Sequence, residues 1–139
     1  MPTASLTRRV TFAAAHRYRR DDWSEEKNRA VFGASANPNF HGHTYACDVT
    51  VAGDVDPDTG MIVDLGRLDV ALATEVRGRF DQRNINLEVA AFADGKLIPT
   101  GENLARYIFE RMQHALGDAT RVTRVVVRED DTLWAEYIA

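Results

Sequence analysis

The run Tyr45-Ala46-Cys47-Asp48-Val49-Thr50-Val51 alternates large or β-branched residues with small or polar ones. A period of two over that length specifies a half-buried strand. Directly upstream lies His41-Gly42-His43. Residues i and i+2 of a strand share a face, so the two imidazoles project together. Neutral imidazole is a common ligand for divalent zinc. His16 closes an earlier alternating run in which Leu6, Val10, Phe12, Ala14 and His16 share one parity. Three histidines without a matching fourth ligand describe a zinc site with one coordination position open. By itself, His-x-His is equally compatible with two surface histidines beside a turn. His16, on an apolar face, is also compatible with a satisfied core residue.

The remaining chain reads as two helices and a terminal hairpin. Asp64 is a helix N-cap, followed by Leu65, Leu68, Leu72 and Val76 as an apolar stripe up to Phe80. Thr100 caps a second helix, with Glu102 in its first turn and Leu104, Ile108, Met112 and Leu116 facing the core. Gly117 ends that helix, and His114 lies off its stripe as a surface residue. Arg121–Glu129 and Thr132–Ile138 pair across Asp130-Asp131, with Glu129 closing the face carried by Val125 and Val127. Between the first two strands, 17–39 is polar and irregular apart from a short helix beginning at Ser24. A loop of that length inside a compact domain is more often functional than filler.

The expected fold is α+β: a ββααββ order, a four-stranded antiparallel sheet, and both helices on one face. The 139 residues suit a single domain, 1–139. Hydrophobic residues make up 45% and charged residues 27%, with a net charge of −4 and the signs interspersed. Those values argue against a nucleic-acid surface or a basic membrane anchor. No apolar run reaches the roughly 20 residues of a membrane helix, and no hydrophobic signal core opens the chain. The single cysteine, Cys47, forms no internal disulfide and fits a reducing cytoplasm. A small sheet covered on one side leaves its edges unpaired, which argues for a homo-oligomer closed edge to edge.

Further motifs occur in a fixed order. They are Phe12-Ala13-Ala14-Ala15-His16, Phe32-Gly33, Asn37-Pro38-Asn39, His41-Gly42-His43-Thr44-Tyr45, Asp56-Pro57-Asp58-Thr59-Gly60-Met61, Asp64-Leu65, Phe80-Asp81, Pro99-Thr100, Glu102-Asn103 and Glu129. Together they resemble the 6-pyruvoyl-tetrahydropterin synthase and 6-carboxy-tetrahydropterin synthase family over nearly the whole chain. The resemblance implies the tunnelling fold, or T-fold, with trimers closing a barrel and two trimers stacking into a homohexamer. It implies zinc on His16, His41 and His43. It also implies a pterin whose 2-amino and N3 edge is held by Glu129 at a subunit interface, with Thr100 and Glu102 in the segment lining the pocket.

The same resemblance exposes two departures. Family enzymes carry a cysteine six residues before the first histidine of His-x-His, where this chain has Ser35. They carry a histidine after the aspartate that follows the first helix, where this chain has Asp81-Gln82. Ser35 and Asp81 are then the remaining proton carriers. A serine hydroxyl is a far poorer base than a thiolate, and glutamine carries no titratable proton. Asp22, Glu25 and Glu26, in the long loop, are other carboxylates that could enter the site. The function implied is a zinc-dependent lyase acting on a 6-substituted dihydropterin in the cytoplasm. The alternative is a pterin- or purine-binding homologue with altered or lost lyase activity.

Overall fold

The computed structural model describes residues 2–139. Strand β1 (Thr3–His16) pairs antiparallel with β2 (His41–Asp54) along its full length, from Thr3 opposite Asp54 to His16 opposite His41. Strand β4 (Arg121–Asp130) takes the other edge of β2 and forms a hairpin with β5 (Leu133–Ile138). These are the four expected strands, each within a few residues of its sequence-based limits.

The sheet nevertheless has five strands, in the order β3-β1-β2-β4-β5. The addition is β3, Arg83–Asn84, which runs parallel to β1 at Ala14 and Ala15. Gln82 makes it possible. Its backbone turns through φ 61° and donates its N–H to the Ala13 carbonyl at 2.7 Å. Asp81 Oδ1 accepts the Ala13 N–H at 2.9 Å from the other side. Two residues are too few to show a period in sequence.

The short helix expected after Ser24 forms, and more helical turns follow than the two longer helices expected. Helix α1 (Glu25–Phe32) starts at Ser24, whose hydroxyl accepts the Lys27 N–H, and a 3₁₀ turn, Gly33–Ala36, follows it. Helix α2 (Leu65–Leu72) starts at Asp64, which accepts the N–H groups of Gly66 and Arg67. It continues through a π turn at Ala73–Arg77 into α3 (Gly78–Phe80). The short α4 (Ile85–Glu88) comes after β3, and α5 (Gly101–Leu116) begins at the Thr100 cap and stops at Gly117, φ 72°.

The helices cover one face of the sheet, as the apolar stripes require. Phe12, Tyr45, Cys47, Val49, Val125 and Val127 from the strands are buried against Leu68, Val76, Phe80, Leu104, Ile108 and Met112. Leu65, the first residue of α2, stays exposed. Phe12 stacks between Tyr45 and Phe80, at 4.8 and 5.3 Å between ring centroids. Truncating such an aromatic to alanine costs about 3–5 kcal/mol. The opposite face is polar: Arg9 makes a two-point contact with Asp48, and Arg124 pairs with Glu136. Close packing beneath β1 and β2 gives the strand ends a rigid base, and those ends carry the histidines.

Candidate active site

The β1–β2 register places His16 directly across from His41. His43 lies two residues along β2 on the same face, so strand parity becomes spatial proximity. One ring nitrogen from each of His16, His41 and His43 lies within 4.8 Å of the others. Gly42 separates the two β2 histidines because space there is tight: a Cβ at that position would sit 3.3 Å from the Ala14 carbonyl oxygen.

His16 is fully buried and its orientation is set by its surroundings. Its Nδ1 lies 2.8 Å from the Pro99 carbonyl oxygen. A carbonyl only accepts, so Nδ1 carries the proton and Nε2 presents its lone pair to the cluster. The Tyr45 hydroxyl is within 3.1 and 3.2 Å of the two His16 nitrogens. Burial pushes the His16 pKa down to about 4, and His41 and His43 add to that against the opposing Pro99 carbonyl. Burial, then His43, lowers His41 as well. Near neutral pH both rings are therefore in the unprotonated form that binds metal. Among the described residues, His43 Nε2 is buried with no hydrogen-bond partner. A buried polar atom without a partner is costly unless something completes it. Three imidazoles, one with an orphaned nitrogen and one held from behind by a carbonyl, fit a zinc ion with an open position.

Glu129, on β4, is 8% exposed, so its carboxylate is directed inward rather than into solvent. Its Oε2 lies 3.8 Å from His43 Nε2. Its Oε1 accepts a hydrogen bond from the Tyr18 hydroxyl at 3.2 Å. Tyr18 was not among the residues singled out from sequence. It stands two residues past His16 with the same parity, and continuing the β1 alternation past the strand end would have found it. Its ring meets His16 edge-on at 5.2 Å between centroids. Burial, then the charge of Glu129, raises the Tyr18 pKa, so the phenol stays protonated and acts as a donor.

The loop 17–39 is held in place by Asn28, which is buried at 1% exposure. Its side chain accepts the Arg20 N–H and donates to the carbonyls of Arg20 and Ser24. Asn86 does the same for Arg17, accepting its N–H and donating to its carbonyl. The Tyr18 N–H then donates to the Ser35 carbonyl at 2.8 Å, which pins the 3₁₀ turn beside the end of β1. Ser35 is thus held by its backbone carbonyl beside Tyr18, two residues past His16. Asp22 and Glu25 are spent on Arg20 and Arg19 at the surface, and Glu26 is exposed.

The other sequence-derived residues are placed as follows. The Thr100 hydroxyl accepts the Asn103 N–H at 3.1 Å, and the preceding Pro99 carbonyl holds His16. Glu102 is exposed in the first turn of α5, close enough to raise the Tyr18 pKa. The Asp81 carboxylate is occupied on both oxygens, by the Ala13 N–H and by Arg77 at 2.8 Å. Gln82 is exposed and lines a shallow depression with Gly42, His43 and Arg83. Cys47 is fully buried in the core, and His114 is exposed.

Residues 5–139 match the family model described as 6-pyruvoyl tetrahydropterin synthase. The 6-pyruvoyl tetrahydrobiopterin synthase of Homo sapiens is 39% identical over 113 residues, covering 81% of this chain and 77% of the human one. The 6-carboxy-5,6,7,8-tetrahydropterin synthase of Bacillus subtilis is 32% identical, over 75% of this chain and 71% of its own. In three dimensions, the Caenorhabditis elegans 6-pyruvoyl tetrahydropterin synthase superposes with a TM-score of 0.93 at 31% identity, covering 100% of this chain and 97% of the other.

Proposed function

The chain belongs to the 6-pyruvoyl tetrahydropterin synthase family of lyases, and we propose that it is a zinc-dependent lyase acting on a 6-substituted dihydropterin. The observation that carries this reading is the convergence of two chemistries in one place. Three metal-competent imidazoles gather within 4.8 Å, and a buried carboxylate lies 3.8 Å from one of them.

His16, His41 and His43 would hold the zinc. When bound, zinc supplies Lewis-acid polarisation of an oxygen on the substrate's 6-side chain. The rest of the chemistry belongs to the protein. The Pro99 carbonyl fixes the His16 tautomer. Glu129 accepts two parallel N–H bonds from the 2-amino and N3 edge, which sets the pterin's direction in the pocket. Thr100 and Glu102 line the approach from the start of α5. Ser35 and Asp81 are the candidates for moving the proton. Ser35 has the freer side chain, since Asp81 already receives two donors.

That engagement of Asp81, together with Ser35 and Gln82, favours one second reading: a homologue that holds a pterin or purine and turns it over slowly or not at all. Incubation of the zinc-loaded protein with dihydroneopterin triphosphate, dihydroneopterin and sepiapterin, followed by product analysis, separates the two. Product from any of the three supports the lyase. Tight pterin binding with no product supports the binder. Failure to bind any pterin overturns both.

We also propose a homohexamer built from two trimers, with the whole chain acting as one domain in the cytoplasm. Support for the assembly comes from the edges: β3 covers only Ala14 and Ala15 of β1, and β5 ends the sheet on the other side with Leu133, Trp134 and Ile138 exposed. Light scattering that finds a stable monomer at micromolar concentration would overturn it. For the compartment, the support is Cys47, a buried free thiol. No helix among the described residues is long and apolar enough to cross a membrane.

A further inference from the structure

Glu129 is nearly enclosed, and among the described residues no lysine or arginine pairs with it. Among the same residues its carboxylate receives one hydrogen bond, from the Tyr18 hydroxyl to Oε1. A buried carboxylate with a single donor depends on that donor for its orientation as well as its solvation. Tyr18 is itself held on several sides. Its ring packs edge-on to His16 at 5.2 Å and to Phe32 at 5.9 Å between centroids. Its backbone N–H is tied to the Ser35 carbonyl. An aromatic side chain has two rotatable bonds, and packing on these sides leaves its hydroxyl little freedom. With Oε1 anchored by Tyr18 and Oε2 facing His43, the carboxylate plane has one orientation.

We propose that Tyr18 is a positioning residue that fixes the plane of Glu129, and thereby sets the selectivity of the pocket for a 2-amino, N3–H edge over an edge bearing a 2-oxo group. Two parallel N–H···O bonds require the carboxylate and the heterocycle to be coplanar. A carboxylate free to rotate loses that requirement first. An oxo group in place of the amino group offers an acceptor where Glu129 needs a donor, so a well-oriented carboxylate rejects it. This inference rests on the reading of the pocket as a pterin site. It adds a residue whose contribution acts through Glu129 and needs no bond of its own to the ligand.

The test is a fluorescence titration of the zinc-loaded protein with two ligands. One is neopterin, an oxidised pterin. The other is the corresponding lumazine, which carries oxygen at position 2. Tyr18→Phe removes one hydroxyl and leaves the ring in place. It should weaken neopterin binding by about ten- to a hundredfold, the range for a hydrogen bond to a charged group. Lumazine binding should change by less than about threefold, so the preference for neopterin collapses. Placing p-aminophenylalanine at position 18 restores an N–H donor of similar reach and should restore the preference. Zinc content, measured on each variant, should match the unmodified protein, and each variant should unfold in one cooperative transition. Unchanged neopterin affinity in Tyr18→Phe overturns the proposal. So does an equal loss for both ligands, which would mean that Tyr18 only shapes the pocket. If the unmodified protein binds neither ligand, the pterin reading itself falls, a result distinct from the other two.

Discussion

Restoring a cysteine at position 35 and a histidine at position 82 should raise turnover of dihydroneopterin triphosphate steeply. Both substitutions suit their local structure. Ser35 is half-buried, and its contact to the β1 end is made by its backbone carbonyl, which a change of side chain leaves intact. Gln82 adopts φ 61° with an exposed side chain, and histidine is among the residues that tolerate that region. A positioned acid-base group contributes about 100- to 10,000-fold in rate. Asp81 cannot make up the deficit alone, because the Ala13 N–H and Arg77 already occupy both of its oxygens. The combined Ser35→Cys, Gln82→His protein should therefore exceed the unmodified one by at least about 100-fold in kcat. Residues that hand on one proton act as a unit, so each single substitution should recover much less. Steady-state kinetics with product identification on the four proteins is the assay, with neopterin affinity as the control for pocket integrity. If the unmodified protein turns over this substrate as fast as the doubly substituted one, the reasoning is refuted. Ser35 and Gln82 would then belong to a different working relay.

Three further outcomes are expected. His41→Ala combined with His43→Ala should remove the metal, and elemental analysis showing one zinc per chain in that variant would refute the ligand assignment. Tyr45→Phe deletes a hydroxyl within hydrogen-bond reach of His16 and should weaken zinc binding by about 10- to 100-fold in a chelator competition, the usual effect of losing a group behind a ligand. Glu75 is buried between Arg79 and Arg111; burial alone would raise its pKa, but the two guanidinium groups outweigh it and hold the carboxyl below its ordinary value. A folded-state pKa below the unfolded one stabilises the protein above the unfolded value of about 4.3 and loses that contribution as pH falls through the folded value. Arg79 and Arg111 keep about a third of their side chains exposed, so Glu75→Gln should cost about 1 kcal/mol at neutral pH and flatten the acid limb of a pH-dependent melt; an unchanged acid limb would refute the coupling.

Local chemistry made much of this molecule readable. Alternation located β1, β2, β4 and β5, and the same alternation put His41 and His43 on one face and His16 on the apolar side of its strand. The caps at Ser24, Asp64 and Thr100 are local hydrogen bonds and stood where residue type placed them. What escaped depends on contacts distant in sequence. Strand β3 exists because Asp81 and Gln82 bond to Ala13, 68 residues or more away. The order of the long loop depends on Asn28 and Asn86, whose side chains imitate a backbone ladder beside Arg17 and Arg20. An asparagine in a helix or after a turn gives no hint of that from its neighbours alone. The π turn after α2 leaves no mark in residue type either, since Ala73–Arg77 is ordinary helix-forming sequence. Tyr18 was legible in principle, because it repeats the parity of His16 just beyond the strand.

The two halves of the site also differ in how they are held. His16, His41, His43 and Glu129 project from strands whose register is fixed along their length by ladder hydrogen bonds and by the packed core beneath Phe12 and Tyr45. Moving any of them by one residue would carry it to the opposite face of the sheet. Ser35 and Gln82 occupy a 3₁₀ turn and a left-handed turn outside that ladder, fixed mainly by backbone bonds that do not depend on which side chain is present. Side chains there can change at small cost in stability, whereas those of the strand set cannot. A fold arranged in this way lets side chains in the turns change while those on the strands stay in place. Chemistry can then differ between relatives that hold the same heterocycle in the same pose. Under the proposed function, Ser35 and Gln82 are the positions where proton-moving groups can change, and His16, His41, His43 and Glu129 are the positions the sheet holds fixed.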